Sequence, residues 1–168
     1  MALTPPPRWL APKVPATLAA VVGLAAGLWY LRDPAWLADQ TTGLRGWQRG
    51  ADGGAYRWSG GHASFFVPSD AKQIRIPVST TFDARQARGD EPMLVTVAID
   101  DERAGRVLLA DTRTQDVVVD LPPKGSRRVR RVDVRTNVTR DGNFGVRIGA
   151  VLATTDGTNW RPCCLIPR

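Results

Sequence analysis

The chain has 168 residues, 43% of them hydrophobic and 23% charged, which leaves room for one ordinary domain plus a short appendage and excludes a disordered chain or a large multidomain enzyme. One histidine and two adjacent cysteines, Cys163 and Cys164, are too few for a histidine-rich or paired-CxxC metal site and too few for a disulfide framework, so no metal and no cofactor are expected. The net charge of +7 is carried almost wholly by arginine, which supplies 20 of the 23 basic residues.

Residues 1–13 read as a short tail of proline-rich coil, Pro5-Pro6-Pro7 and Pro12, with Arg8 and Lys13 as its charges. Residues 14–31 then contain no charged side chain. As a helix at about 1.5 Å per residue they span roughly 27 Å, close to the hydrocarbon thickness of a bilayer, so a single transmembrane helix is expected. Pro15 falls in the first turn, where its missing N–H costs little. Trp29 and Tyr30 fall at the far end, where amphipathic rings settle at a membrane interface. Gly23 and Gly27 form a G-x-x-x-G that would let two such helices pair into a homodimer, although an Ala/Gly-rich run produces this spacing by chance as well. A cleaved signal fits less well, because the small residues Ala25-Ala26-Gly27 lie inside the apolar run; a buried helix is the other alternative. Basic residues flank both ends. The short stub before the helix resembles the cytoplasmic tail of a signal anchor, which places the larger part outside the cytoplasm.

Residues 32–55 read as a juxtamembrane short helix and a Gly-rich linker. Asp33 is positioned to cap a helix begun by Pro34, and Thr41-Thr42-Gly43 stops it. The loop from Arg49 to Ala55 is not a phosphate cradle, because no Gly-Lys-Ser/Thr follows its glycines.

Residues 56–153 alternate apolar and polar positions, as half-buried strands do. Ala63, Phe65 and Val67 mark one strand, Ile74, Ile76, Val78, Thr80 and Phe82 a second, and Met93, Val95, Val97 and Ile99 a third. A turn over residues 100–105 leads to Val107 and Leu109; Val117, Val119 and Leu121 follow, then Val132 and Val134, then Val146, Ile148, Ala150 and Leu152. Seven or eight short strands separated by turn residues make a mainly β antiparallel sandwich the economical fold. Val129 has the opposite parity to Val132 and Val134, so a bulge near Arg130-Arg131 is expected. Residues 154–168 are left as a tail.

Chemistry is sparse. Five arginines between Arg127 and Arg135 could meet phosphates or headgroups, but a solvated face paired with Asp120 and Asp133 explains them more simply. Residues 33–168 carry 20 basic and 16 acidic groups, too small an excess for a nucleic-acid partner. Asp100, Asp101 and Glu102 put three carboxylates together, which a small hydrolase could use, yet consecutive acids at a strand end read first as a hairpin tip. Ser59 and Ser64 flank His62 without a Gly-x-Ser-x-Gly elbow, so no catalytic residue is assigned. Cys163 and Cys164 could form a vicinal disulfide, pair with another chain, accept an acyl group, or stay as two free thiols. Asn137-Val138-Thr139 matches a glycosylation sequon.

The run Arg57-Trp58-Ser59-Gly60-Gly61-His62-Ala63-Ser64-Phe65-Phe66-Val67-Pro68, with a closing Arg147-Ile148-Gly149-Ala150, resembles the jelly-roll domains appended to bacterial envelope membrane proteins, some of them glycosyltransferase-like. Those run Arg-Trp-Ser/Thr-Gly-x-x-Ala, an apolar strand and Pro, and close with Arg-x-Leu-Gly; here Ile148 replaces the leucine. The resemblance covers Tyr56 to about Leu152 and implies a carbohydrate-binding-module-like sandwich. A sugar offers an apolar C–H face and a polar edge, so binding needs exposed rings with polar neighbours. Tyr56, Trp58 and Trp160 are the candidate rings, with Arg57, His62 and Asp101 as hydrogen-bonding neighbours; Trp58 is equally suited to covering one end of the core. The reading is a single-pass membrane protein of the cell envelope whose β domain binds a glycan or a membrane-protein partner. A purely structural accessory subunit and a small hydrolase are the alternatives.

Overall fold

The computed structural model describes residues 13–30, 34–50, 53–81, 92–139 and 144–165. These fall into two units, one ending at Asp33 and one beginning at Pro34.

The first unit contributes one helix, α1 (Lys13–Tyr30). Alanine and leucine favour this conformation, and Pro15 sits in its first turn as the sequence predicts. The expected membrane pass is corrected: among the described residues no helix is long and apolar enough to cross a membrane. The physical reason is composition: the eighteen residues include Lys13, Pro15, Thr17 and two glycines among many alanines. Leu18, Val21, Val22, Leu24 and Leu28 are exposed. A Cβ added at Gly23 or Gly27 meets nothing within 4 Å. The side chains of Trp29 and Tyr30 lie outside the described residues, as do Asp33 and Phe82.

The second unit opens with a single 3-10 turn, Ala35–Asp39, entered from the extended Pro34 and closed by the Leu37 N–H donating to the Pro34 carbonyl at 3.0 Å. Ten strands follow: β1 (Thr41–Arg49), β2 (Ala55–Pro68), β3 (Gln73–Ser79), β4 (Met93–Ile99), β5 (Glu102–Leu109), β6 (Gln115–Asp120), β7 (Val129–Thr136), β8 (Arg147–Gly149), β9 (Val151–Thr154) and β10 (Arg161–Cys164). All pairings are antiparallel. Two layers form, and β2 is long enough to belong to both: residues 62–68 pair with β7, which continues to β4 and β5, while residues 56–58 pair with β8, which leads to β3 and β6. β9 pairs with the other end of β3 and carries β10.

Both layers bury their alternate residues in one core. Phe65 and Val67 of β2, Ile74, Ile76 and Val78 of β3, Val95 and Val97 of β4, Val117 and Val119 of β6, Val132 and Val134 of β7 and Ile148 of β8 belong to a single apolar cluster. Fully burying a Val, Ile or Phe contributes about 1.5–3 kcal/mol each, so this alternation drives closure of the sandwich. The opposite parity, including Tyr56, Arg75, Ser79, His62 and Arg147, is left for the outer faces.

Four expectations change. β1 occupies residues assigned to the linker, and β10 lies in the assigned tail. β7 pairs with β2 and β4 in unbroken register, so no bulge occurs at Arg130-Arg131; Val129 simply sits half-buried on the outer face. The hairpin between β4 and β5 turns on Asp100 and Asp101 alone, with φ of 49° and 74°, the left-handed pair of a two-residue turn that Asp tolerates better than most residues.

Candidate functional site

The first half of β2 builds an aromatic and arginine surface. Tyr56 and Trp58 lie two positions apart on one face of the strand, their rings edge-on at 6.0 Å. Trp58 is almost buried because Phe144 packs edge-on against it at 5.3 Å. Ser59 fixes that neighbour: fully buried, it accepts the Val146 N–H on its hydroxyl at 2.9 Å and the Gly145 N–H on its carbonyl at 2.8 Å. Gly145 is required there, since a Cβ would stand 2.3 Å from the Gly60 carbonyl oxygen.

The Arg147 guanidinium, brought alongside by the β8–β2 pairing, stands 4.4 Å from the Tyr56 ring centroid and 5.1 Å from that of Trp58. Its Nε is buried without a hydrogen-bond partner. Gly149 adjoins these residues, where a Cβ would stand 3.3 Å from the Pro77 side chain. The result is a concavity of about 440 Å³ lined by Tyr56, Arg147, Gly149, Ser79, Thr112 and Thr114 among others. A ring, a guanidinium and three hydroxyl-bearing residues around one hollow offer an apolar plane and several hydrogen-bonding groups.

Trp160 is half-buried under the guanidinium of Arg75, 4.3 Å from its ring centroid, and does not line this concavity. Arg57 is engaged elsewhere. It donates from Nε to the Arg45 carbonyl at 2.5 Å, from Nη1 to the Thr41 hydroxyl at 3.2 Å and from Nη2 to the Leu44 carbonyl at 3.2 Å, fastening β1 to β2. Burial lowers its pKa from the ordinary guanidinium value.

His62 and Asp101 belong to a second cluster, on the other half of β2. The β2–β7 register sets Ser64 opposite Asp133, whose carboxylate is 2% exposed. Its Oδ1 accepts from the Ser64 hydroxyl at 2.5 Å and lies 2.9 Å from His62 Nε2; its Oδ2 accepts from Arg131 Nε at 2.9 Å. Burial pushes the Asp133 carboxyl up, but the hydrogen bonds from Ser64, His62 and Arg131, with the Arg131 charge, outweigh it and hold the group below the usual carboxylate range. Arg131 also pairs with Asp101. The acidic run is thus bound to the arginine run, Asp100 pairing with Arg130 at 2.8 Å, whereas Asp120 accepts from Gln73 instead.

Serine, histidine and aspartate meet here without forming a relay. The same nitrogen, Nε2, approaches both Asp133 and Ser64, the latter at 3.3 Å, whereas a proton relay needs the two ring nitrogens to serve the two partners separately. A neighbouring concavity of about 370 Å³ is lined by Leu94, Thr96, Arg103, Asp133 and Arg135 among others, with no aromatic ring in its wall. Asn137 of the sequon is engaged, its side-chain oxygen accepting the Leu94 N–H at 2.7 Å.

Sequence reasoning found Tyr56 and Trp58 as rings beside a Gly-Gly pair. It did not join them to Phe144, Arg147 and the Thr112–Thr114 loop, because those contacts follow from strand pairing between distant segments.

No family model and no curated protein matches the chain. Among solved structures it is similar to a family two carbohydrate esterase from Cellvibrio japonicus, at 14% identity and a TM-score of 0.42 over 78% of this chain and 35% of that one. An acetyl xylan esterase from the rumen bacterium Butyrivibrio proteoclasticus overlaps at 13% identity and a TM-score of 0.44, over 78% of this chain and 32% of that one. The CBM51-2 and INT domains of Clostridium perfringens ZmpB, in complex with GlcNAc, overlap at 14% identity and a TM-score of 0.38, over 64% of this chain and 25% of that one. The chain therefore spans about a third or less of the length of these structures.

Proposed function

We propose that this chain is a non-catalytic glycan-binding module, and that the concavity beside Tyr56 and Arg147 receives the sugar. One observation carries the reading: a half-buried ring and a guanidinium border a hollow of about 440 Å³ that is also lined by three hydroxyl-bearing residues, Ser79, Thr112 and Thr114. The C–H face of a pyranose stacks on the tyrosine, and its hydroxyls meet Ser79, Thr112, Thr114 and the Arg147 guanidinium. The second concavity has charge but no ring, and its acids are already paired, so it suits a sugar less well. The resemblance of Arg57–Pro68 to envelope jelly-roll domains points the same way. The test is affinity electrophoresis of the full-length chain through gels holding single polysaccharides. Retardation by a defined polysaccharide, reduced in Arg147→Ala, is the expected result; equal mobility in every gel contradicts the proposal.

Placement in the cell envelope, with the β unit outside the cytoplasm, is part of the same proposal. Its support is the resemblance of the stretch from Tyr56 to about Leu152 to jelly-roll domains of bacterial envelope membrane proteins. A phosphatase reporter at the C-terminus, active only outside the cytoplasm, is expected to be active; activity confined to a cytoplasmic reporter contradicts it.

A further inference from the structure

β10 presents its two cysteines in a way that a regular strand forbids. Successive strand residues point to opposite faces, which would put Cys163 and Cys164 on either side of the sheet. The register with β9 slips at this point: Pro162 pairs with Leu152 and Cys164 with Val151, leaving Cys163 as the extra residue of a bulge. The sulfurs come within 2.9 Å of each other as free thiols. Both cysteines line a cavity of about 740 Å³ together with Trp47, Arg57 and Phe65. Cys163 is half-buried, its thiol 3.6 Å from the Val151 carbonyl oxygen, while Cys164 is buried.

We propose that Cys163 and Cys164 form a reversible two-electron redox site, a vicinal dithiol that closes to a vicinal disulfide by exchange with a low-molecular-weight disulfide. Exposure sets the order of events. The thiolate of Cys163 attacks one sulfur of the oxidant; that S–S bond breaks, a mixed disulfide forms on Cys163, and the departing thiolate takes a proton from water. Cys164 then gives its proton to water, and its sulfur attacks Sγ of Cys163, breaking the mixed disulfide and releasing the second thiol. The oxidant is reduced to two thiols by the two electrons that the cysteine pair loses. The hydrogen bond with Cys163 and burial push the Cys164 thiol up, so the more exposed Cys163 meets the oxidant first and Cys164 attacks second.

The experiment uses the full-length chain, reduced and then incubated with oxidised glutathione, quenched with N-ethylmaleimide and weighed intact. The expected product has no maleimide-reactive thiol, carries no glutathione, weighs two hydrogens less than the reduced chain, runs as a monomer and reverts with dithiothreitol. In Cys164→Ser one glutathione is expected to stay trapped on Cys163. Glutathione retained on the wild-type chain, a disulfide-linked dimer, or two thiols still open to maleimide would each overturn the proposal, and none of these wild-type readouts depends on the variant folding.

Discussion

Asp133 shows how this sandwich holds a buried charge: its carboxylate accepts from Ser64, His62 and Arg131. Because those contacts hold its pKa below the unfolded value, its contribution is present above an unfolded pKa of about 3.9 and is lost as pH falls through the folded value. Urea midpoints are expected to drop as pH is lowered below about 4, with a shallower drop in Asp133→Asn. At neutral pH that variant is expected to be less stable by about 2 kcal/mol, a modest figure because Arg131 is 40% exposed and water screens it. The donors to Asp133 were not legible in the sequence, where His62 reads as a free neighbour for a sugar and Asp133 as a partner of the arginine run. Parity alone does place His62, Ser64 and Asp133 on outer faces; only the β2–β7 register brings them into contact.

At the scale of the element, the strands that alternate were readable and those that do not were missed. β3 and β4 alternate without a break, and the sequence places both. β1 turns every third residue inward, with register shifts at Thr42/Leu44 and Leu44/Trp47, so a search for period two passes over it and reads its glycines as a linker. β10 is four residues long with a bulge at Cys163, too short and irregular for any periodicity. β1 depends on Gly43, whose φ is +67° and where a Cβ would stand 2.0 Å from the His62 carbonyl oxygen. Gly43→Ala must therefore shift β1 away from β2, and a loss of about 2 kcal/mol is expected, read as a fall of about 5 °C in Tm by calorimetry. An unchanged Tm would mean that β1 contributes little to the sandwich.

For the β unit as a whole, the division of labour follows from β2. One end of this long strand enters the β8–β3 layer and displays Tyr56 beside Arg147; the other enters the β7–β4 layer and displays the Asp133 cluster, with one core between the layers. The architecture was legible as a mainly β sandwich because alternation marks most strands, while the crossing of β2 between layers was not, since nothing local in Ala55–Pro68 reports its two partners. Stacking on one ring contributes about 1 kcal/mol, so removing it should weaken binding several-fold to about tenfold. The most direct measurement is a glycan array probed with the full-length chain beside Tyr56→Ala and His62→Ala. Retention of a defined set of sugars that Tyr56→Ala loses and His62→Ala keeps is the predicted result; no retention, or retention that Tyr56→Ala leaves intact, would contradict a sugar site at this concavity.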